Sequence, residues 1–176
     1  NNFTVTGTVT LASAIVVTNN LTIAASGDLD AAGFQITVGV NWNRAAGGVF
    51  TPNNNLVVFN NNGAIQNAET FFDVQVTAGA RTNGTGFTVT NNLTVSGTGT
   101  LTVTGGMTVG GLTTVAANSI TANTGGVVDS GSLSLTGGDM VVTAPASLVV
   151  STGNYTISNA ASNHTGSGTV DITAGN

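Results

Sequence analysis

The sequence predicts an all-β chain wound into a parallel β-helix, or β-solenoid, with about 21 residues per coil. Small turn residues recur at one step: Gly63, Gly84, Gly105 and Gly126 are each 21 apart, and the same step reaches Ser147 and Gly168. Two residues further on stand Ile65, Gly86, Met107, Val128, Val149 and Val170, all but one of them apolar. Before the glycines runs an asparagine column, Asn20, Asn41, Asn62 and Asn83, on the same 21-residue ruler. A small residue followed at a fixed offset by an apolar one, many times over, marks a chain that coils on itself.

Strand signals follow one another without a helical stretch between them. Phe3 to Thr6, Val9 to Leu11, Ile15 to Val17 and Leu21 to Ile23 come first, then Phe34 to Val38, Leu56 to Phe59 and Phe71 to Val76. The second half continues with Phe87 to Val89, Leu93 to Val95, Leu101 to Val103, Met107 to Val109 and Leu112 to Val115. Ile120, Val127-Val128, Leu133 to Leu135, Met140 to Val142, Leu148 to Val150, Tyr155 to Ile157 and Val170 to Ile172 complete the series. Each is a short alternation of β-branched or apolar residues with Thr or Ser, bounded by Gly, Asn and Ser. Three such strands fill one coil, so the expected cross-section is roughly triangular, with a two-sheet or irregular solenoid as the alternative.

The composition follows from that architecture. Only 5% of the residues are charged, against about 25% in ordinary soluble domains. Stacked strands place equivalent side chains about 4.8 Å apart, where like charges repel and Thr, Ser and Asn do not. Stacked Asn amides bond to one another and to turn backbone. The corner glycines Gly63, Gly84, Gly105, Gly126 and Gly168 are expected to take the positive φ of a tight turn. Ile65, Met107, Val128, Val149 and Val170 are expected to form one buried column.

The same composition excludes several functions. Lysine is absent and Arg44 and Arg81 are the only strong cations, so neither phosphate neutralisation nor a polybasic membrane anchor is available. There is no cysteine for a disulfide, thiolate metal site or catalytic thiol. Apolar runs fall far short of the roughly 20 residues of a membrane helix. The chain opens Asn1-Asn2-Phe3-Thr4, so a leader is expected to have been removed or the chain to be a piece of something longer.

Residues 1–176 are expected to form one solenoid domain, with one interruption. Asn41 to Phe59 contains Trp42, Arg44, Pro52 and Asn53-Asn54-Asn55, and Glu69 to Phe72 adds two aromatics. Proline cannot donate to a ladder, so a loop or bulge excursion is expected around residues 43–56.

Residues 36 to 103 carry Asn41-Trp42, Phe50-Thr51-Pro52, Val58-Phe59-Asn60 and Asn92-Leu93-Thr94-Val95 in order. This series resembles the strand repeats of large secreted bacterial surface proteins, and is similar in style to autotransporter and filamentous-haemagglutinin β-helices. The resemblance implies an exported, surface or extracellular structural protein and carries over no catalytic residue.

Candidate chemistry is sparse. His164, the one histidine, reads as a lone turn residue without metal or triad partners. Asp28 and Asp30 fall on one strand face and read as solvated surface; Gly137-Gly138-Asp139 reads as a turn. The seven acidic residues are scattered, which argues against a polysaccharide-degrading β-helix. An ice-binding threonine face fails on the 21-residue ruler, because Thr102 and Thr104 step to Asn123 and Gly125. No enzyme activity, cofactor or metal is expected. The expected function is a structural subunit of an extracellular or cell-surface filament, assembling with copies of itself by head-to-tail strand pairing. The alternatives are an adhesive or stalk module of a larger surface protein and, below that, a polysaccharide-binding or -degrading β-helix or an ice-binding protein.

Overall fold

The computed structural model describes residues 1–173, which form a parallel β-solenoid of about 8 turns with no helix among them. Coil 1 holds β1 (Phe3–Val5), β2 (Thr8–Thr10) and β3 (Ile15–Val17), and coil 2 holds β4 (Leu21–Ile23), β5 (Asp28–Asp30) and β6 (Ile36–Val38). Coil 3 holds β7 (Trp42–Arg44), β8 (Val49–Thr51) and β9 (Leu56–Phe59), and coil 4 holds β10 (Gly63–Ile65), β11 (Glu69–Phe71) and β12 (Asp73–Val76). Coil 5 holds β13 (Ala80–Asn83), β14 (Phe87–Val89) and β15 (Leu93–Val95). In coils 6 and 7 the second and third strands run together: β16 (Thr100–Val103) leads into β17 (Gly106–Val115), and β18 (Ser119–Ala122) into β19 (Val127–Leu135). Coil 8 holds β20 (Asp139–Val142), β21 (Ser147–Val150) and β22 (Tyr155–Ile157), and β23 (His164–Thr165) and β24 (Thr169–Ile172) follow.

The leading strands stack into one nine-stranded sheet, β1-β4-β7-β10-β13-β16-β18-β20-β23. The trailing strands β3, β6, β9, β12, β15, β17, β19 and β22 stack into a second face. The middle face comes in two parts. In coils 1 to 3 it is the separate three-stranded sheet β2-β5-β8, and from coil 4 it is the run β11, β14, β17, β19, β21, β24.

Alternation decides what fills the bore. Along the trailing face Ile15, Ile36, Val57, Val74, Leu93, Thr113, Leu133 and Tyr155 are registered one above another, as are Val17, Val38, Phe59, Val76, Val95, Val115, Leu135 and Ile157. These are buried except at the ends, and burying each Val or Leu contributes about 1.5–3 kcal/mol. Thr113 is the polar exception inside; its hydroxyl lies 2.8 Å from that of Ser130, which donates to Ser132 O at 2.6 Å.

The coil length is not constant, and several expectations shift with it. The 21-residue step holds for Leu21 to Trp42, for Ile15 to Ile36 to Val57, and for Met107 to Val128. Elsewhere the partner pairs are Gly63 with Arg81, Arg81 with Leu101, Leu101 with Ile120 and Met140 with His164, so the ruler drifts in both directions.

The expected core column is therefore split. Met107 and Val128 are stacked and buried, but Val128 pairs with Leu148, and Val149 points outward between Asp129 and Asp171. Val170 continues the Leu148 column and is open to solvent. Ile65 is buried on the leading face, between Trp42 and Asn83.

The glycine column has a different cause from the one expected. None of Gly63, Gly84, Gly105, Gly126 and Gly168 has positive φ; Gly125 does, as do Ala32, Asn53, Asn54, Asn118 and Thr124. Gly63, Gly105, Gly126 and Gly168 are small because a Cβ would run into backbone of the adjacent coil or turn, such as Val40 O or Val103 O; Gly84 has open space around it.

The asparagine ladder works from side chain to backbone. Asn20 Oδ1 accepts the Asn41 N–H at 3.2 Å, Asn41 Oδ1 the Ala64 N–H at 2.9 Å, and Asn62 Oδ1 the Ala80 N–H at 2.7 Å. Asn83 has left the ladder, because the step from Gly63 to Arg81 is 18 residues and not 21, which leaves it three places past Ala80. It is buried in the bore, accepts from Gly86 N and donates to Gly106 O. Nor does an excursion occur at 43–56: β8 pairs with β5, and Pro52 follows it at the turn, with Asn53 and Asn54 supplying the positive φ. The irregularity lies one coil later.

Candidate functional site at the break in the middle face

β8 has β5 as its partner and β11 has β14, but β8 and β11 do not pair. Connection length explains the break. Four or five residues (11–14, 31–35, 52–55) separate the middle strand from the trailing one in coils 1 to 3, whereas Phe72 alone does so in coil 4. The short link draws β11 round toward the trailing face and off the top of β8.

Large side chains fill the mismatch. Trp42 packs edge-on to Phe50 and Phe71 at 4.8 and 5.0 Å between ring centroids, and Phe59 and Phe87 each meet Phe71 at 6.0 Å. These are the T-shaped arrangements that ring quadrupoles favour. The cluster collects the residues that make 41–59 and 69–72 stand out in the sequence.

A buried carboxylate spans the break. Glu69 heads the inward column continued by Phe87 and Met107. Its Oε2 accepts Trp42 Nε1–H at 2.9 Å and Arg44 Nε–H at 3.0 Å, and its Oε1 accepts the Thr70 N–H at 2.9 Å. The Arg44 guanidinium also donates to Gly48 O at 2.9 Å and Ala68 O at 2.7 Å. Burial pushes the Glu69 carboxyl above the usual carboxylate range, outweighing these donors and the arginine charge. Through Oε2 the carboxylate of coil 4 is tied to Trp42 and Arg44 of coil 3, so the group holds the two coils together.

Outside it lies an open cleft of about 340 Å³ lined by Arg44, Glu69, Phe87, Gly86, Gly106 and the threonines Thr70, Thr88 and Thr108. Among the described residues no three His, Asp or Glu gather as a metal site would require.

Arg81, the other arginine, is fully buried. It lies inside the leading face, its guanidinium 4.3 Å from the Phe59 ring centroid, and donates to Gly39 O, Val40 O and Asn61 O. Burial lowers it to about 10, so it stays charged near neutral pH and ties three coils through their corner carbonyls. Nothing in the sequence around Arg81 marks it as buried.

The remaining candidates are dispersed. Asp28 and Asp30 flank Leu29 on the outer side of β5, where Asp30 Oδ1 accepts from Ala32 N and Asn53 Nδ2, both at 2.7 Å. Asp139, after the Gly137-Gly138 bend, accepts the Asn163 N–H at 2.8 Å. His164 is not a lone turn residue; it lies in β23, half-buried, with Nδ1 2.8 Å from the Tyr155 hydroxyl. Thr102 is registered on Thr82 and Thr121, not on Asn123, so an outward threonine column persists over three coils before meeting Val141.

No protein family matches the chain, and neither the curated proteins nor the solved structures compared with it gave a match.

Proposed function

We propose that the chain is a structural subunit of an extracellular or cell-surface filament, built by stacking the last coil of one copy against the first coil of the next. The supporting observation is the state of the final strands. Ile157, Val170 and Ile172 continue the inward columns of Leu135, Leu148 and Val150, which are fully buried, yet they are themselves 50%, 40% and 46% exposed. At the other end Phe3, Val9 and Ile15 head the three faces, half-buried, on strands with one partner each.

The first and last described coils carry open ladder edges and open apolar columns, which call for another coil. A second copy supplies one at each end through a heterologous contact that does not close, which propagates as a fibre. The scarcity of charge lets coils of different copies meet without repulsion. The likeness of residues 36 to 103 to secreted bacterial surface proteins supports a place outside the cell.

Negative-stain microscopy of the purified chain tests the reading. The N–H groups of Phe3 and Thr169 donate to Asn20 O and Ala146 O, so alternation turns those of Thr4 and Val170 to the open edges. Fibres are expected from the unaltered chain, and Thr4→Pro or Val170→Pro should each abolish them while the strand signal in circular dichroism persists. Monodisperse monomers of the unaltered chain at all concentrations would overturn the proposal.

A further inference from the structure

The inward columns do not all end in apolar side chains. On the leading face the column Arg81, Leu101, Ile120, Met140 ends in His164, and on the trailing face the column through Thr113 and Leu133 ends in Tyr155. The two meet across the end of the bore, with 2.8 Å between the Tyr155 hydroxyl and His164 Nδ1 and 5.8 Å between ring centroids. We infer that this pair makes coil stacking acid-sensitive: a second copy is accepted on this end while the imidazole is neutral and rejected once it is protonated. The inference rests on the stacking proposed above.

The chemistry is one of donors and acceptors. A neutral imidazole with its proton on Nε2 accepts the Tyr155 O–H at Nδ1; a protonated one carries hydrogen on both nitrogens, so the bond reverses and Nδ1–H donates to the phenol oxygen, leaving the added charge to be buried. Burial pushes the Tyr155 phenol up to about 12, so the phenol stays neutral and offers an imidazolium no countercharge. Burial also holds the His164 imidazole below the ordinary histidine range.

The groups around the imidazole do not offset a charge there. From β20 comes Asp139, whose Oδ1 is taken by the Asn163 N–H; from β22 comes Tyr155; and β24 carries Asp171 at an outward position. Neither arginine is near, since Arg44 is in coil 3 and Arg81 in coil 5.

Stacking with the leading faces aligned lays Phe3 of the next copy over His164. An imidazolium there loses its remaining water beneath an apolar lid. The free end then binds protons more readily than the stacked one, so stacking weakens as pH falls through the imidazole's own lowered range.

Pelleting assays at about pH 7.5 and about pH 5, with the unaltered chain and His164→Met, test this. The unaltered chain should show a critical concentration that rises roughly tenfold for each pH unit below the imidazole pKa. His164→Met, which extends the Met140 column, should assemble equally at both. Equal assembly of the unaltered chain at both pH values, or acid loss retained in His164→Met, overturns the gate and leaves the filament standing. No pelleting at either pH overturns the filament reading and the gate with it.

Discussion

Trp42 and Glu69 are joined across the break in the middle face by a 2.9 Å hydrogen bond from the indole Nε1–H to the carboxylate Oε2. One residue belongs to coil 3 and the other to coil 4, where the strands β8 and β11 fail to pair. Side chains thus hold together a junction that backbone holds elsewhere on that face.

Glu69→Ala leaves the indole N–H and the Arg44 guanidinium without their acceptor. Breaking one side of a buried pair typically costs about 3–5 kcal/mol. Denaturant unfolding should show a loss of this order, with Glu69→Gln, which keeps an acceptor oxygen, clearly milder. A loss under about 1 kcal/mol would mean that the junction does not depend on this carboxylate.

The same group gives the fold a pH dependence. Burial raises the Glu69 pKa in the folded chain, so the fold binds this proton more tightly than the unfolded chain does. Stability from this site is therefore fully present below the ordinary carboxylate range and declines as pH rises through the raised folded value. A stability profile against pH should fall across that window in the unaltered chain and lose that component in Glu69→Gln. An unchanged profile in the variant would contradict the assignment.

Val128 and Val149 separate the real register from the 21-residue ruler. Val128 is buried on Met107, whereas Val149 faces outward beside Asp129 and Asp171. Val128→Asp should destabilise by several kcal/mol, on the order of the cost of burying an unpaired charge. Val149→Thr should stay within about 0.5 kcal/mol. Similar losses at both positions would contradict the register.

The fold class was legible because every coil repeats the same physical requirement. Apolar residues alternate inward, Thr and Ser outward, and a small residue stands wherever one coil's backbone crosses close to the next. Register was not legible to the residue, since coils gain or lose residues in turns that leave the alternation intact. That is how Leu148, one place before Val149, comes to pack on Val128, and how Asn83 leaves the ladder of Asn20, Asn41 and Asn62. Trp42, Pro52, Glu69 and Phe71 announced an irregularity but not its place, because the break follows from Phe72 being the whole link between β11 and β12. The Tyr155–His164 contact joins two strands of different coils and left no local pattern.

Asn55 is buried at the corner before β9, and neither its amide nitrogen nor its oxygen has a hydrogen-bond partner. Replacing an unsatisfied buried amide with an apolar side chain of similar size removes its desolvation cost, about 1–3 kcal/mol. Asn55→Leu should raise the midpoint of thermal unfolding, and a lowered midpoint would show that the amide makes contacts that hold the corner.

The most direct test of coil-on-coil assembly is the subunit repeat along a fibre of the chain, read by helical reconstruction from electron micrographs. The nine strands of the leading face, at a spacing of about 4.8 Å, give a rise of about 43 Å per copy, with strands perpendicular to the axis. That rise is expected, with Phe3 of one copy seated over His164 of the next. Copies packed side by side, with the solenoid axes across the fibre and the end coils open to solvent, would contradict it.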